Sequence, residues 1–384
     1  MIEIKNPADC CGCTACASIC NHDAILMKPD ILGFLYPKVD KEKCVDCGLC
    51  EKICAFNEHY DTSLNLSKPL AYAARHKDMR EVKTSRSGAA FIAISDYILE
   101  SGGVVYGAGY TDHFRVVHKR ATTKEERNEF KGSKYVQSDM NTVFRQVKKD
   151  LRDGLTVLFS GTPCQTSGLN SYVGRKWREK LILIDIICHA VPSPFVWRDY
   201  LTILEKKYKG KVVFVDFRDK SKGWAHIHEE KFVFDNGQSV NRGTFTHFFY
   251  SNLDIRQSCA TCHYANLNRP SDITLGDFWG FEKVVPNMNT DNKGLSLMII
   301  NSENGRKLFD EIKSNLMYQE VALKDCLQPN LCHPTNVKDS KENKFIDDYE
   351  KYGVTYVACK YADWSKLYPL KCFLKKVIKK IKTK

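Results

Sequence analysis

Apolar positions change their period several times along the chain, and each change marks an element. Two short runs, 155–160 (LTVLFS) and 181–187 (LILIDII), proceed almost without polar interruption, the signature of strands buried on both faces. Helical spacing predicts helices over 87–99, 141–151, 194–207 and 305–316. Runs at 103–106, 114–118, 212–217, 231–234, 273–278 and 295–300 read as further strands. Strands alternating with helices favour an α/β core with a mainly parallel sheet. Residues 1–60 break this pattern with closely spaced cysteines, and 61–69 (DTSLNLSKP) reads as a polar linker ending in proline. The core divides into 70–152 and 153–325, and 326–384 forms a C-terminal extension.

That extension ends in a second pattern. Leu370, Phe373, Leu374, Val377, Ile378 and Ile381 fall on one helical face, with lysines on the remainder. A Lys-rich amphipathic helix suits an anionic membrane surface, or docks on the body or on a partner. The net charge of +12 is uneven: residues 1–60 hold six Lys against nine acids, and the rest holds 52 basic against 37 acidic residues. No zinc-finger spacing, RNP motif or aromatic-basic repeat accompanies the charge, so nucleic acid is not an expected partner. The first residues lack the apolar run of a signal peptide. No stretch of 18 apolar residues appears, so no spanning helix is expected. The 17 cysteines cluster in ligand spacings, which points to reduced thiols in a cytoplasmic protein, with peripheral contact at the inner membrane face through the basic helix.

The cysteines carry the chemistry. Cys10, Cys13, Cys16 and Cys20, then Cys44, Cys47, Cys50 and Cys54, each follow C-x2-C-x2-C-x3-C. A cubane needs four converging thiolates, and in two-cluster ferredoxins the fourth cysteine of each run reaches the other cluster. The expectation is an α+β ferredoxin-like module with two [4Fe-4S] clusters. One is held by Cys10, Cys13, Cys16 and Cys54, the other by Cys44, Cys47, Cys50 and Cys20. The proline usual after the fourth cysteine is replaced by Asn21 and Ala55, and Cys11 stands outside the spacing as a bystander. Zinc is the competing metal for four thiolates.

Four more cysteines fall in the core. Cys164 and Cys188 follow the two buried strand runs directly, and ligands collect at the carboxyl ends of parallel strands. Cys259 and Cys262 form a C-x2-C clip, so the four make a candidate third cluster site. Alternatives are small buried thiols, a redox dithiol, or, from Cys262-His263, a haem attachment motif that requires export.

The core resembles the coenzyme F420 hydrogenase/dehydrogenase beta-subunit family. The likeness rests on SRSGAAF (85–91), GGVVYGAGY (102–110), KGSKYVQSD (131–139), FSGTPCQ (159–165), DIICHAVPSP (185–194), FRDKSKGW (217–224) and SDITLGDFWG (271–280). Joined to a two-cluster ferredoxin, it resembles the electron-input subunit of F420H2 dehydrogenase. The resemblance implies FAD in the core, a third [4Fe-4S] cluster on Cys164, Cys188, Cys259 and Cys262, and coenzyme F420 as a candidate substrate. The flavin is expected beside Ser85, Ser87, Gly88, Ser133, Lys134, Tyr135 and Thr162. Ser85, Ser87 and Gly88 would open a helix whose free N–H groups hold a phosphate, and Ser133 and Lys134 would donate to phosphate or ring. The more usual second glycine of the segment is Ala89 here. His226 and His228 alternate as on one strand face, and Asp277 follows a strand without an assigned role.

The implied function is a flavin- and iron-sulfur-dependent oxidoreductase that exchanges electrons with a redox partner protein or a small-molecule hydride donor or acceptor. Competing readings are a relay subunit without flavin, and a ferredoxin-linked reductase of another substrate in glycan biosynthesis.

Overall fold

The computed structural model describes residues 1–56, 62–226, 228–337 and 339–364. The predicted basic helix over 370–381 lies outside the described residues. In the N-terminal module, β1 (Ile25–Pro29) and β2 (Leu35–Val39) pair as an antiparallel hairpin, flanked by short helices Ala15–Ile19 and Leu49–Lys52. The two cysteine loops repeat one backbone design. Gly12 and Asp46 have φ of 71° and 49°, and Thr14 and Gly48 have φ of 69° and 73°. Each loop thus makes two left-handed turns around its second cysteine, and Cys16 and Cys50 become the second residues of the helices that follow.

The core begins with β3 (Asn65–His76), so residues 65–69, read as linker, are already strand. Next come β4 (Val104–Thr111), β5 (Arg115–Ala121), β6 (Val157–Gly161) and β7 (Leu181–Ile186). β8 (Val212–Asp216), β9 (Glu230–Phe234) and β10 (Ser239–Arg242) form a separate antiparallel sheet. β11 (Ile273–Asp277), β12 (Ser296–Ser302) and β13 (Leu316–Val321) return to the main sheet, whose order is β13-β3-β12-β11-β7-β6-β4-β5.

Only its centre is parallel: β4, β6, β7 and β11 run together, and every other pairing is antiparallel. The sheet is therefore mixed, against the mainly parallel expectation. The reason is connection length. A parallel neighbour needs a crossover, and the helix Pro163–Val173 supplies one between β6 and β7. Three residues between β4 and β5 permit only a reversal. The helix predicted over 305–316 ends earlier, at Ile312, and Leu316 opens β13.

Both faces of the central strands are covered, as their uninterrupted apolar runs require. Val104, Tyr106, Val157 and Phe159 face helices Val143–Arg152 and Pro163–Val173. Val105, Leu158, Ile273 and Met298 face helices Ala90–Glu100 and Glu303–Ile312. The cysteine module joins the first of these cores through Cys11, Cys13, Ala15 and Phe56. Contact is close enough that a Cβ on Gly168 would lie 2.7 Å from Cys13 Sγ. Arg145 binds Ser18 O at 3.1 Å and Cys20 O at 2.9 Å, and Tyr264 donates to Ala55 O at 3.1 Å. No described helix is long and apolar enough to cross a membrane.

Candidate redox site: three thiol clusters and an apolar cavity

Chain folding in the module crosses the two quartets. A cavity of about 30 Å³ is lined by Cys44, Cys47 and Cys50 together with Cys20 from the first run. In the other loop, Cys16 lies within electrostatic reach of Cys13, Cys10 and Cys54. These are the two sets expected from the spacing. Among the described residues, no three Cys, His, Asp or Glu side chains close around a point as a single metal ion requires; the thiols instead border voids.

A second cavity of about 30 Å³ brings together Cys164, Cys188 and the Cys259/Cys262 pair from three separate stretches of the sequence. β6 and β7 end on the same sheet edge, which delivers Cys164 and Cys188. The turn Gln257–Cys259 presents the C-x2-C pair from the opposite wall. Burial raises all three of Cys188, Cys259 and Cys262: Cys188 well above the ordinary thiol range, Cys259 to about 12 and Cys262 to about 11. Thiols held this way stay protonated until a metal displaces the proton. Two buried guanidiniums, Arg256 and Arg269, also line the void and fit an anionic thiolate cluster.

Cys11 is no bystander. It is buried, borders this void, and interacts electrostatically with both Cys13 and Cys164. The Cys11 thiol and the Thr162 hydroxyl, 3.2 Å from the sulfur, together draw Cys164 down to about 7. Cys11 therefore joins the core thiols to the first ferredoxin loop. Spacing hid it, because its partners come from the other domain.

Behind the four thiols lies a cavity of about 440 Å³, within the size range of small-molecule cofactor sites. The two voids share Cys188, His189, Ala190, Val191 and Asn330 as a common wall. Of the seven residues expected to hold a flavin, Ser85, Ser87, Ser133, Lys134, Tyr135 and Thr162 line it. Gly88 does not. Its N–H donates to Ser296 Oγ at 2.9 Å, and a Cβ there would sit 2.4 Å from Ala74 O, so the glycine serves close packing. The helix opens later than expected, at Ala90, and residues 89–91 bring its N-terminus to the cavity. Ala89 takes φ of 63°, a conformation that favours glycine, and glycine is the residue that motif more usually carries there.

Other expectations change in detail. The Lys134 ammonium is taken by three carbonyls, Glu129 O at 2.5 Å, Lys131 O at 3.1 Å and Gly132 O at 3.3 Å. It braces its own loop instead of donating into the cavity. Burial pulls it down to about 7; the three carbonyls oppose that, since only the ammonium offers three hydrogens. Ser87 Oγ donates to Leu295 O at 2.6 Å. Just before Ser87, where Arg86 Nη2 pairs with Asp216, Ser85 Oγ and the Arg86 Nε and Nη1 are buried without a partner among the described residues. They fit an anionic cofactor group beside the helix N-terminus.

The remaining polar groups were not singled out by motif, or had no role. His118 Nε2 donates to Ser160 O at 2.9 Å, and its Nδ1 accepts from Ser138 Oγ at 2.8 Å. Burial draws His118 down to about 4, so it stands neutral in the wall. Of the two histidines near Trp224, His228 lines the cavity, accepts from Tyr250 Oη, and is drawn by burial to about 4. Asp277 accepts from Arg218 and from Trp224 Nε1 at 3.0 Å, and so orients the Trp224–Trp279 stack at the cavity.

The arrangement defines a class: a ferredoxin-type domain docked on an α/β core with its own thiol cluster and a cofactor-sized cavity. Residues 9–57 match the 4Fe-4S dicluster domain, and residues 154–325 match the family described as the C terminus of the coenzyme F420 hydrogenase/dehydrogenase beta subunit. Residues 154–325 thus carry the C-terminal region of this beta-subunit family, behind a ferredoxin-type domain at residues 9–57. No curated protein matches it. Among solved structures, it is similar to a chain in a xenon-derivatised F420-reducing [NiFe] hydrogenase complex from Methanosarcina barkeri. The identity is 16%, with 73% of this chain and 89% of that chain covered and a TM-score of 0.45.

Proposed function

We propose that the chain is a flavin-dependent iron-sulfur oxidoreductase in which the large cavity holds FAD and the thiol sites hold three [4Fe-4S] clusters in series. The observation that carries this reading is the shared wall: residues 188–191 border both the cavity and the four-thiol void. Flavin, when bound, interconverts a two-electron hydride equivalent and single electrons, which is what clusters accept. The chain's residues do the rest. Ser85 Oγ, Arg86 and the N–H groups at the start of Ala90–Glu100 hold the anionic part of the cofactor. Neutral His118 and the apolar lining, with Phe91, Ile184 and Leu275, keep water away from the ring. Thr162 links the two voids, lining the cavity while its hydroxyl meets Cys164, which lines the thiol void.

Cys188 and Cys164 then lead to Cys11 and Cys13, and the set containing Cys20 and exposed Cys47 forms the outer end, where a redox partner protein docks. His228 and Tyr250 sit where an organic hydride donor or acceptor would exchange a proton. Coenzyme F420 is the candidate the family suggests. The test is the visible spectrum of anaerobically purified protein, followed by acid release. A flavin spectrum over cluster absorption, with about one flavin released per chain, is expected. Intact clusters with no flavin would leave a relay subunit instead.

A further inference from the structure

Between the core thiols and the first ferredoxin loop sits a buried cation, Arg256. Arg256 is 0% exposed and belongs to the same turn as Cys259, whose N–H donates to Arg256 O at 2.9 Å. Nε donates to Cys10 O at 2.7 Å, Nη1 to Gln137 Oε1 at 2.9 Å and Nη2 to Leu35 O at 3.0 Å. Nη2 also lies 3.6 Å from Cys10 Sγ, and the guanidinium stacks 4.2 Å from the Tyr36 ring centroid. The same side chain lines the void of Cys164, Cys188, Cys259 and Cys262. Its seat is built for it: Gly12 takes φ of 71°, and a Cβ there would fall 2.8 Å from Nη1.

No carboxylate pairs with Arg256 at ion-pair distance among the described residues, unlike Arg178, Arg218 and Arg269. Asp30 lies within electrostatic reach but not at ion-pair distance; burying a charge without a close counterion costs several kcal/mol, which anions beside it offset. Cys10 lies on one side and the four-thiol void on the other. A cubane bound by four thiolates carries negative charge that grows on reduction.

We propose that Arg256 is the shared countercharge of the core cluster and of the cluster that Cys10 helps to bind, and that it sets the reduction potentials of both. This rests on the three-cluster reading. Arg256 is a positioning residue: it touches a ligand sulfur and the cluster void, and stabilises each reduced state relative to the oxidised one. Replacing it by a neutral side chain lowers both potentials. The outer cluster, on Cys20, Cys44, Cys47 and Cys50, has no contact with it and is the internal control.

The experiment is an anaerobic EPR redox titration of full-length, reconstituted protein with parallel iron analysis. The outer signal is identified by its loss in Cys44→Ser. In Arg256→Gln, at fixed potential, the reduced-to-oxidised ratio of the two inner clusters should fall at least tenfold, equivalent to about 59 mV for one electron. The outer cluster should change less than about threefold. Full iron with unshifted inner potentials, or a shift in only one, would overturn the proposal. Arg256→Lys keeps the charge and should hold both potentials within about threefold; a tenfold shift in that variant would also overturn it, even if Arg256→Gln fails to assemble. About eight irons per chain instead of about twelve would remove the core cluster, and the proposal with it, which separates failure of that reading from failure of the role given to Arg256.

Discussion

Gly88→Ala separates two roles for the SRSG segment. If Gly88 cradles a phosphate, a methyl group displaces ligand and leaves the fold intact. If it serves packing, the methyl group strikes protein. The structure has the Cβ 2.4 Å from Ala74 O and 2.7 Å from Ser296 N, both backbone atoms of adjacent strands that cannot swing aside. Gly88 is not among the residues with positive φ, so the effect is steric and not conformational. Overpacking of this kind costs about 1–3 kcal/mol. Loss of the Gly88 N–H bond to Ser296 Oγ adds about 1 kcal/mol. The expected destabilisation is about 2–4 kcal/mol, which lowers a urea midpoint by roughly 0.5–1 M. The assay is urea unfolding of anaerobic protein by far-UV circular dichroism, with flavin content measured on the same samples. An unchanged midpoint with flavin lost would refute the packing argument.

Other outcomes follow from the same geometry. Burial lifts Glu230 to about 8, so the folded state keeps a proton that the unfolded chain has already released; this group contributes stability below its unfolded value and loses it as pH rises to about 8. Glu230→Gln should therefore gain on the wild type by up to ~2 kcal/mol between pH 6.5 and 8 in chemical denaturation, and a constant difference would contradict it. His118, drawn down to about 4, acts oppositely: its contribution is lost as pH falls from about 6.5 to about 4, and His118→Gln should flatten the acid limb of the stability curve. Cys20→Ser and Cys44→Ser should alter one and the same cluster EPR signal, because the two thiols line one void; separate signals would break the crossover.

Much of this was legible in the chain because the signals are local. Cysteine spacing yields the crossed sets, and the uninterrupted runs ending before Cys164 and Cys188 locate the central strands and their shared edge. What was not legible depends on contacts across the sequence. β3 begins inside a polar, proline-containing stretch, and its pairing with β12 and β13 has no local mark. Lys134 reads as a free cation until its loop folds back onto it. Cys11 falls outside both quartets, and its place between Cys13 and Cys164 exists only once the module docks against Gly168. Arg256 has no motif at all; its meaning comes from Gly12, Cys10 and Cys259 meeting around it.

The central claim is a continuous redox chain from cavity to outer cluster. The most direct measurement is an anaerobic reductive titration of the purified holoprotein, counting electrons taken up per chain. The account predicts about five, two at the flavin and one at each of three clusters. Uptake of about two, with no flavin bleaching, would contradict it and leave only the ferredoxin domain electron-active.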